Sequence, residues 1–306
     1  MARVPKGSKE KVVEPDIAAD PLQAAFANLH RRQAAERQLA ECRAALLVKP
    51  NSVDLLVATG EVLTKLGRNA EAAQSYAKAL ALAPGRSDLR HLVAALGGQS
   101  LPARADDGYV AALFDAAADS FDSTLVGMLD YRVPELVAAA AREALTGTAD
   151  IVDLGCGTGL CGPLLKPLAR RLDGVDLSPR MIDKARARNV YDGLAVGEIS
   201  RHLRGQARRY GLAVAADVLV YMGDLVDTFA AVAGALNPGG RFVFTVERHE
   251  GAPFHLGPAG RYAHADAYIR KVAADAGMEV VRAEDIVPRQ EKGRPVAGRL
   301  YVTRRT

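Results

Sequence analysis

The sequence predicts an α/β fold preceded by a small all-α unit. Three observations carry that prediction: a period of 34 near the N-terminus, a glycine-rich turn after a short apolar run near residue 150, and alternating strand-like and helix-like segments beyond it. The expected division is a basic tail over 1–18, helical repeats over 19–98, a linker over 99–108 and an α/β domain over 109–306. Residues 109–145 form a helical extension of that domain. A chain of 306 residues suits about two domains.

The helical unit comes first in the chain. Pro50 and Pro84 stand 34 positions apart, Ala45-Leu46 matches Ala79-Leu80, and Asp54-Leu55 matches Asp88-Leu89. This is the spacing of tetratricopeptide repeats. In the better copy, Val53 to Pro84, Gly60 and Ala72 let two antiparallel helices approach, and Gly67 marks the turn. Leu56, Leu63 and Tyr76 fill the groove between the helices, and Pro84 stops the second. A poorer copy is expected over about Pro21 to Pro50, and a capping helix over Ser87 to Leu96. Gly97-Gly98 through Asp107 reads as the linker.

The α/β domain opens its chemistry at Ala149 to Leu154, an apolar run that suits a buried parallel strand. Asp153-Leu154-Gly155-Cys156-Gly157-Thr158-Gly159 follows, then the largely apolar Leu160 to Leu168, then a second strand over Leu172 to Val175 ending at Asp176. Glycines at a strand's C-terminal end allow a sharp turn and a close approach to a ligand. An acid at the tip of the next strand can accept hydrogen bonds from the two hydroxyls of a ribose. A dinucleotide-binding dehydrogenase would need glycine where Leu160 stands, so the G-x-G-x-G spacing disfavours it.

That turn resembles motif I of the class I, Rossmann-like methyltransferases, which use S-adenosyl-L-methionine on a seven-stranded sheet. The resemblance implies cofactor contacts at Asp153, Gly155, Cys156, Gly157, Gly159 and Asp176. It extends to Leu177 and Met181 in the D-x-S-x-x-M segment, with Met181 lining the adenosine. Gly197-Glu198-Ile199 falls where the family places the acid at the adenine edge, so Glu198 and Ile199 join the set. Leu212 to Val220 reads as strand four and runs through Ala216 and Asp217, also assigned to the cofactor, into Tyr221. Asn237-Pro238-Gly239-Gly240 is the expected turn before strand five, Arg241 to Val246. Met278 to Ile286 and Leu300 to Arg304 resemble the closing antiparallel pair.

The chain as a whole, from about residue 20 to the end, resembles bacterial methyltransferases fused to tetratricopeptide repeats. The features are Phe121-Asp122-Ser123, Leu129-Asp130-Tyr131-Arg132-Val133-Pro134 and Gly260-Arg261-Tyr262-Ala263-His264. The resemblance implies transfer of a methyl group to a small-molecule or biosynthetic acceptor at oxygen or nitrogen. A protein acceptor docked on the repeats and a non-catalytic repeat module are the alternatives.

Acceptor contacts are expected from two segments. The first, Tyr109 to Tyr131, carries Tyr109, Phe114, Asp115, Phe121, Asp122 and Tyr131 on a lid-like extension. The second, Glu247 to His264, gathers Glu247, His249, His255, Arg261, Tyr262 and His264 at the sheet edge where open α/β sheets bind ligands. His264 is the first candidate for a general base, His249 the second, and Tyr221 joins them.

Composition narrows the remaining classes. Net charge is +4 with interleaved acids, no Trp and 5% aromatics, so a nucleic-acid partner is not expected. No N-P-P-Y follows strand four and no Pro-Cys nucleophile occurs, which marks down adenine-N6, glutamine-amide and pyrimidine-C5 acceptors. The three cysteines suit a reducing compartment, and no metal site has standard spacing. The polar first residues, with Arg3, Lys6, Lys9 and Lys11, do not read as a secretory signal, so a cytoplasmic location is expected.

Overall fold

The structure, a computed structural model, describes residues 21–97, 101–128, 131–291 and 294–306. The basic tail over 1–18, the linker's start at 98–100 and Leu129-Asp130 of the phrase quoted above lie outside the described residues.

Among the described residues four helices come first: α1 (Pro21–Val48), α2 (Val53–Lys65), α3 (Asn69–Leu82) and α4 (Ser87–Ala95). The first departs from the expected pair over Pro21 to Pro50, being a single helix of 28 residues. Nothing in its interior resembles the Gly67 turn that divides α2 from α3, where Gly67 takes φ +76°. Helices α2 and α3 pack as the sequence requires. A Cβ on Gly60 would lie 2.5 Å from the Tyr76 ring, so only glycine permits that approach. Leu39, Leu56, Leu63, Ala72, Tyr76 and Leu89 form a core of their own.

The second unit continues with α5 (Asp107–Ala117), α6 (Phe121–Met128), α7 (Val133–Ala144), β1 (Ala149–Leu154), α8 (Gly162–Leu165), β2 (Ala169–Asp176), α9 (Pro179–Ala187), β3 (Gly193–Val196), α10 (Ile199–Arg204), β4 (Tyr210–Ala215), α11 (Val226–Ala235) and β5 (Leu236–Arg248). It closes with β6 (Phe254–Leu256), β7 (Tyr262–His264), α12 (Asp266–Asp275), β8 (Met278–Ile286), β9 (Gln290–Glu291), β10 (Arg294–Pro295) and β11 (Gly298–Arg305).

The main sheet runs β3-β2-β1-β4-β5-β11-β8, with the first five strands parallel and β11 antiparallel to both neighbours. Those seven strands are the expected ones. The β6–β7 hairpin is an addition, joined to the end of β5 through Glu247↔Ala263 and Arg248↔His264. Both faces are covered because each central strand is apolar on both. Ile151, Val243 and Leu300 point to one layer with Val133 and Val137. Val152, Phe242, Phe244 and Tyr301 point to the other with Phe229 and Ile269. Each such side chain contributes about 1.5–3 kcal/mol through burial.

Two strand expectations are revised. Strand four ends at Ala215, because Asp217 adopts a left-handed φ of +58° that a strand cannot continue through. Strand five already starts at Leu236. Its register then jumps from Tyr210↔Leu236 to Leu212↔Arg241, so Asn237-Pro238-Gly239-Gly240 forms a bulge inside the strand rather than a turn before it.

The linker is fastened down where it is described. Ala103 carbonyl oxygen accepts the amides of Gly223 and Asp224, both at 2.8 Å, and the Ala105 amide donates to Tyr221 oxygen at 2.9 Å. Tyr262 Oη donates to Pro102 oxygen at 2.7 Å. On α4, His91 Nε2 lies 2.9 Å from Gly260 oxygen, so the expected capping helix also docks on the sheet domain. Among the described residues, no helix is long and apolar enough to cross a membrane.

Candidate functional site

Between β1 and β4 the sheet order reverses, and the loops after these strands diverge to leave a crevice at their C-terminal ends. A cavity of about 1280 Å³, measured with its open mouth, occupies that crevice. Residues from the glycine turn, the tips of β2 and β3, the loop after β4, and α5 and α6 line it.

At one end the wall is made by backbone geometry. Gly155, Gly157 and Gly159 take φ of +66°, +54° and +85°, values that favour glycine. Val175 oxygen accepts the amides of Gly155 at 2.8 Å and Cys156 at 3.0 Å, which draws the turn against β2. The Gly157 amide donates to Asp176 Oδ2 at 2.9 Å, and the Ser178 amide donates to Oδ1 at 2.8 Å. The carboxylate is thereby oriented at the cavity wall, with further acceptor capacity on each oxygen. Burial raises the Asp176 pKa, partly opposed by those amides.

Beneath the turn, Asp153 accepts Tyr191 Oη at 2.7 Å. Burial pushes its pKa up to about 7. Glu198 caps α10, accepting the amides of Ser200 at 2.9 Å and Arg201 at 2.8 Å, and meets Arg104 Nη1 at 3.3 Å. Burial alone would raise its pKa, but those amides and the guanidinium outweigh it and hold the acid below its usual range.

The roof is tied to this end by charged side chains. Asp115 on α5 accepts Ser178 Oγ at 2.5 Å, and Asp122 on α6 accepts Thr158 Oγ1 and an Arg188 guanidinium N–H, each at 2.5 Å. Phe114 and Phe121 stack edge-to-face beneath, and both line the cavity.

The opposite end is a network of side chains. Arg289, 5% exposed, donates to Asp217 Oδ2 at 2.7 Å and pairs with Glu247. Arg261 donates to Glu247 at 2.8 Å and pairs with Glu291. Burial alone would lower the Arg289 pKa; the two carboxylates outweigh it and hold the group charged. Asp217 is shifted up by burial, against the pull of Arg289. Its amide donates to Thr245 Oγ1 at 2.9 Å, which fixes the left-handed backbone. Tyr131 and Tyr221 line the same end, and burial raises the pKa of both.

Of the expected site residues, the cavity brings together Asp153, Gly155, Cys156, Gly157, Asp176, Leu177, Glu198, Ile199, Ala216, Asp217, Tyr221, Phe121, Tyr131 and Arg261. Among these, Asp217, which the resemblance assigns to the cofactor, stands beside Arg289 at the end opposite the glycine turn, and the remaining expected residues stand elsewhere. Gly159 packs beneath the turn, where a Cβ would meet Tyr191 at 2.9 Å. Met181 is fully buried in α9 because its position on the helix faces the core, so it does not line the cavity. Tyr109 leans on His91 between the two units, with ring centroids 5.6 Å apart. Tyr262 is core, its hydroxyl turned to Pro102. Glu247 lies one residue behind the wall, holding both arginines.

The two histidines named as bases are also displaced. His264 is 1% exposed, with Nε2 at 3.1 Å from Gly223 oxygen, because β7 turns it into the β6–β7 packing. Burial lowers its pKa to about 4. His249 stacks on His255 at 5.3 Å and does not line the cavity. Among the described residues, no group of three or more His, Cys, Asp or Glu gathers as a metal site.

Sequence reasoning passed over Arg104, Val110 and Arg289, all on the cavity wall. Arg104 sits in the stretch read as linker, and Arg289 in a loop after β8. Neither has a local pattern around it. The one usable signal was composition: an isolated arginine flanked by Pro288 and Gln290, in a segment returning to the sheet.

Residues 152–242 match the family model described as a methyltransferase domain. The chain is 37% identical over 87 residues to human methyltransferase-like protein 27, covering 27% of this chain and 35% of that protein. It is 34% identical over 143 residues to malonyl-[acyl-carrier protein] O-methyltransferase of Hahella chejuensis, covering 45% of this chain and 49% of that one. The chain therefore spans about a third to a half of the length of these relatives. Among solved structures, the 1,6-didemethyltoxoflavin-N1-methyltransferase of Burkholderia thailandensis, bound to S-adenosylhomocysteine, superposes with a TM-score of 0.52 at 23% identity. That match covers 68% of this chain and 93% of the other. The fold is that of a class I methyltransferase, with a mostly parallel central sheet.

Proposed function

We propose that the protein transfers a methyl group from S-adenosylmethionine to a small-molecule acceptor, at oxygen or nitrogen. The observation that carries this reading is the Gly157–Asp176 hydrogen bond, which joins the glycine turn to the acid of the next strand at the reversal of sheet order. The matched domain and the S-adenosylhomocysteine held by the Burkholderia enzyme support it.

The residues present fit the cofactor. A Cβ on Gly157 would meet nothing nearer than 3.9 Å and one on Gly197 nothing within 4 Å, so bare backbone leaves room for a ligand on that wall. Asp176 would take the ribose hydroxyls and Glu198 would stand at the adenine edge, with Leu177, Ile199 and Ala216 as apolar walls. When bound, the cofactor supplies an activated methyl on a sulfonium and a neutral leaving group. The chain's own task is then to align the acceptor and exclude water, which α5 and α6 do as a strapped roof.

The helical unit is read as a short tetratricopeptide-type repeat. The Gly60–Tyr76 approach and the Gly67 turn support it. Its α4 is tied to Gly260 through His91, and Arg104 and Ala105 of the segment after it line the cavity, which favours a structural role over docking of an acceptor protein.

Calorimetric titration with S-adenosylhomocysteine tests the reading. Micromolar binding is expected, weakened by about 1.5–3 kcal/mol in Asp176→Ala, where a partly buried ribose contact is lost. No binding to the folded wild type sinks it.

A further inference from the structure

We infer that Asp217 is the general base of this site and that the acceptor is a neutral hydroxyl, of the phenol or enol class, whose oxygen faces Arg289 and Arg261. The inference rests on the proposed methyl transfer and deepens it.

At the acceptor end the other candidate bases fall away. His264 and His249 do not reach the cavity, and Glu247 lies behind the wall with both arginines on it. Tyr131 and Tyr221 do line it, but burial keeps their hydroxyls protonated, so they donate. Asp153 belongs to the other end, beneath the glycine turn, with Tyr191 on it. Asp217 remains. Its Oδ2 is held by Arg289, its amide by Thr245, and among the described residues its Oδ1 has no hydrogen-bond partner. The carboxylate is thus oriented by a guanidinium on one oxygen and free to accept on the other.

Hydrogen-bond donors around it select the acceptor. Arg289, Arg261, Glu247, Tyr131 and Tyr221 face Asp217 from five different segments. Arg261 Nη1 and Arg289 Nε have no hydrogen-bond partner among the described residues, so two guanidiniums on the cavity wall can still donate to an acceptor oxygen that gains negative charge. In the step itself, the hydroxyl proton passes to Asp217 Oδ1. The acceptor oxygen uses a lone pair to bond the methyl carbon, and the carbon–sulfur bond breaks with its electron pair going to sulfur. The products are the methyl ether, the neutral thioether and a protonated Asp217, which releases its proton to solvent.

The test uses the full chain, S-adenosylhomocysteine, and a panel of phenols of increasing size that includes 4-nitrocatechol. Asp217→Asn is the informative variant, because asparagine tolerates φ +58° and keeps the same shape. Three results together bear the inference out. A phenol is methylated by the wild type, with kcat lower by about 100-fold or more in Asp217→Asn, within the range of general-base loss. The variant binds S-adenosylhomocysteine within about threefold of wild type, which also verifies its fold. Calorimetric binding of the phenol beside S-adenosylhomocysteine weakens in the wild type as pH falls and is flat in the variant. Asp217→Asn within about threefold of wild-type kcat overturns the assignment. Binding of S-adenosylhomocysteine with no phenol bound or methylated overturns the hydroxyl acceptor and leaves the cofactor reading standing. Failure of the wild type to bind S-adenosylhomocysteine removes the function beneath it instead.

Discussion

The two ends of the cavity are built by different means. The glycine-turn end is made of backbone: positive-φ glycines, amides aimed at Asp176, and a helix cap at Glu198. The opposite end is made of side chains, Asp217, Glu247, Arg261, Arg289 and Glu291, brought from four places in the chain. A backbone site needs particular residue types within a short stretch, so it tolerates almost no substitution and serves one ligand class. A side-chain network can be rewired without moving the strands that carry it. One fold can thus hold a common cofactor site while its acceptor end varies.

Substitutions should separate the two ends, and the largest effect belongs to the backbone. Gly155→Ala places a Cβ 2.3 Å from Val218 Cγ2 at φ +66°. The left-handed conformation alone costs about 1–2 kcal/mol, and the collision adds to it. Affinity for S-adenosylhomocysteine should fall by about 100-fold or more by calorimetry. An affinity within threefold of wild type would break the contrast.

Arg289→Met should act on stability instead. It leaves Asp217 without its cation and Glu247 with Arg261 alone; both acids are only partly buried, so the loss should stand near the lower end of about 3–5 kcal/mol. Urea unfolding reads that loss, while S-adenosylhomocysteine binding at low urea should stay within about threefold. A joint collapse of stability and cofactor affinity would mean that the two ends are one unit.

Two buried groups set opposing pH trends. The folded His264 pKa is about 4 against an ordinary 6.5, so its contribution is full above 6.5 and is lost as pH falls toward 4. That loss is on the order of 3 kcal/mol. Asp153, at about 7 against 3.8, acts the other way: its contribution is full at low pH and is lost as pH rises toward 7. His264→Gln removes the first trend, so the variant should gain stability at pH 5 relative to pH 7 when compared with wild type. Chemical denaturation at both pH values checks this, and an unchanged difference would show that folded His264 takes up its proton as readily as the unfolded chain does.

The smallest effect is expected at Arg104, which is partly exposed and meets Glu198 at 3.3 Å. Arg104→Gln should weaken S-adenosylhomocysteine by no more than about 1 kcal/mol, less so in high salt. A larger, salt-independent loss would mean that the linker arginine contacts the ligand directly.

Legibility followed the same division. The turn Asp153 to Gly159 and the acid at Asp176 could be read because each conformational requirement falls on residues close in sequence, and glycine is the residue that meets it. Strands were legible because apolar runs on both faces announce burial. The bases chosen from the sequence, His264 and His249, were chosen by residue type, and type does not say which way a short edge strand turns its side chains. Helix α1 was read as a pair because periodicity does not distinguish one long helix from two without a glycine turn between them.

By itself, then, the sequence determined the parallel sheet, the α2–α3 pair and the glycine turn with its acid, because these follow from local backbone preference and hydrophobic pattern. Only the tertiary structure decided that Arg289 and Asp217 meet, that His264 is core, and that the linker after α4 becomes part of the cavity wall. Those outcomes depend on contacts between residues 40 to 160 positions apart, and no local preference encodes which distant partner will arrive.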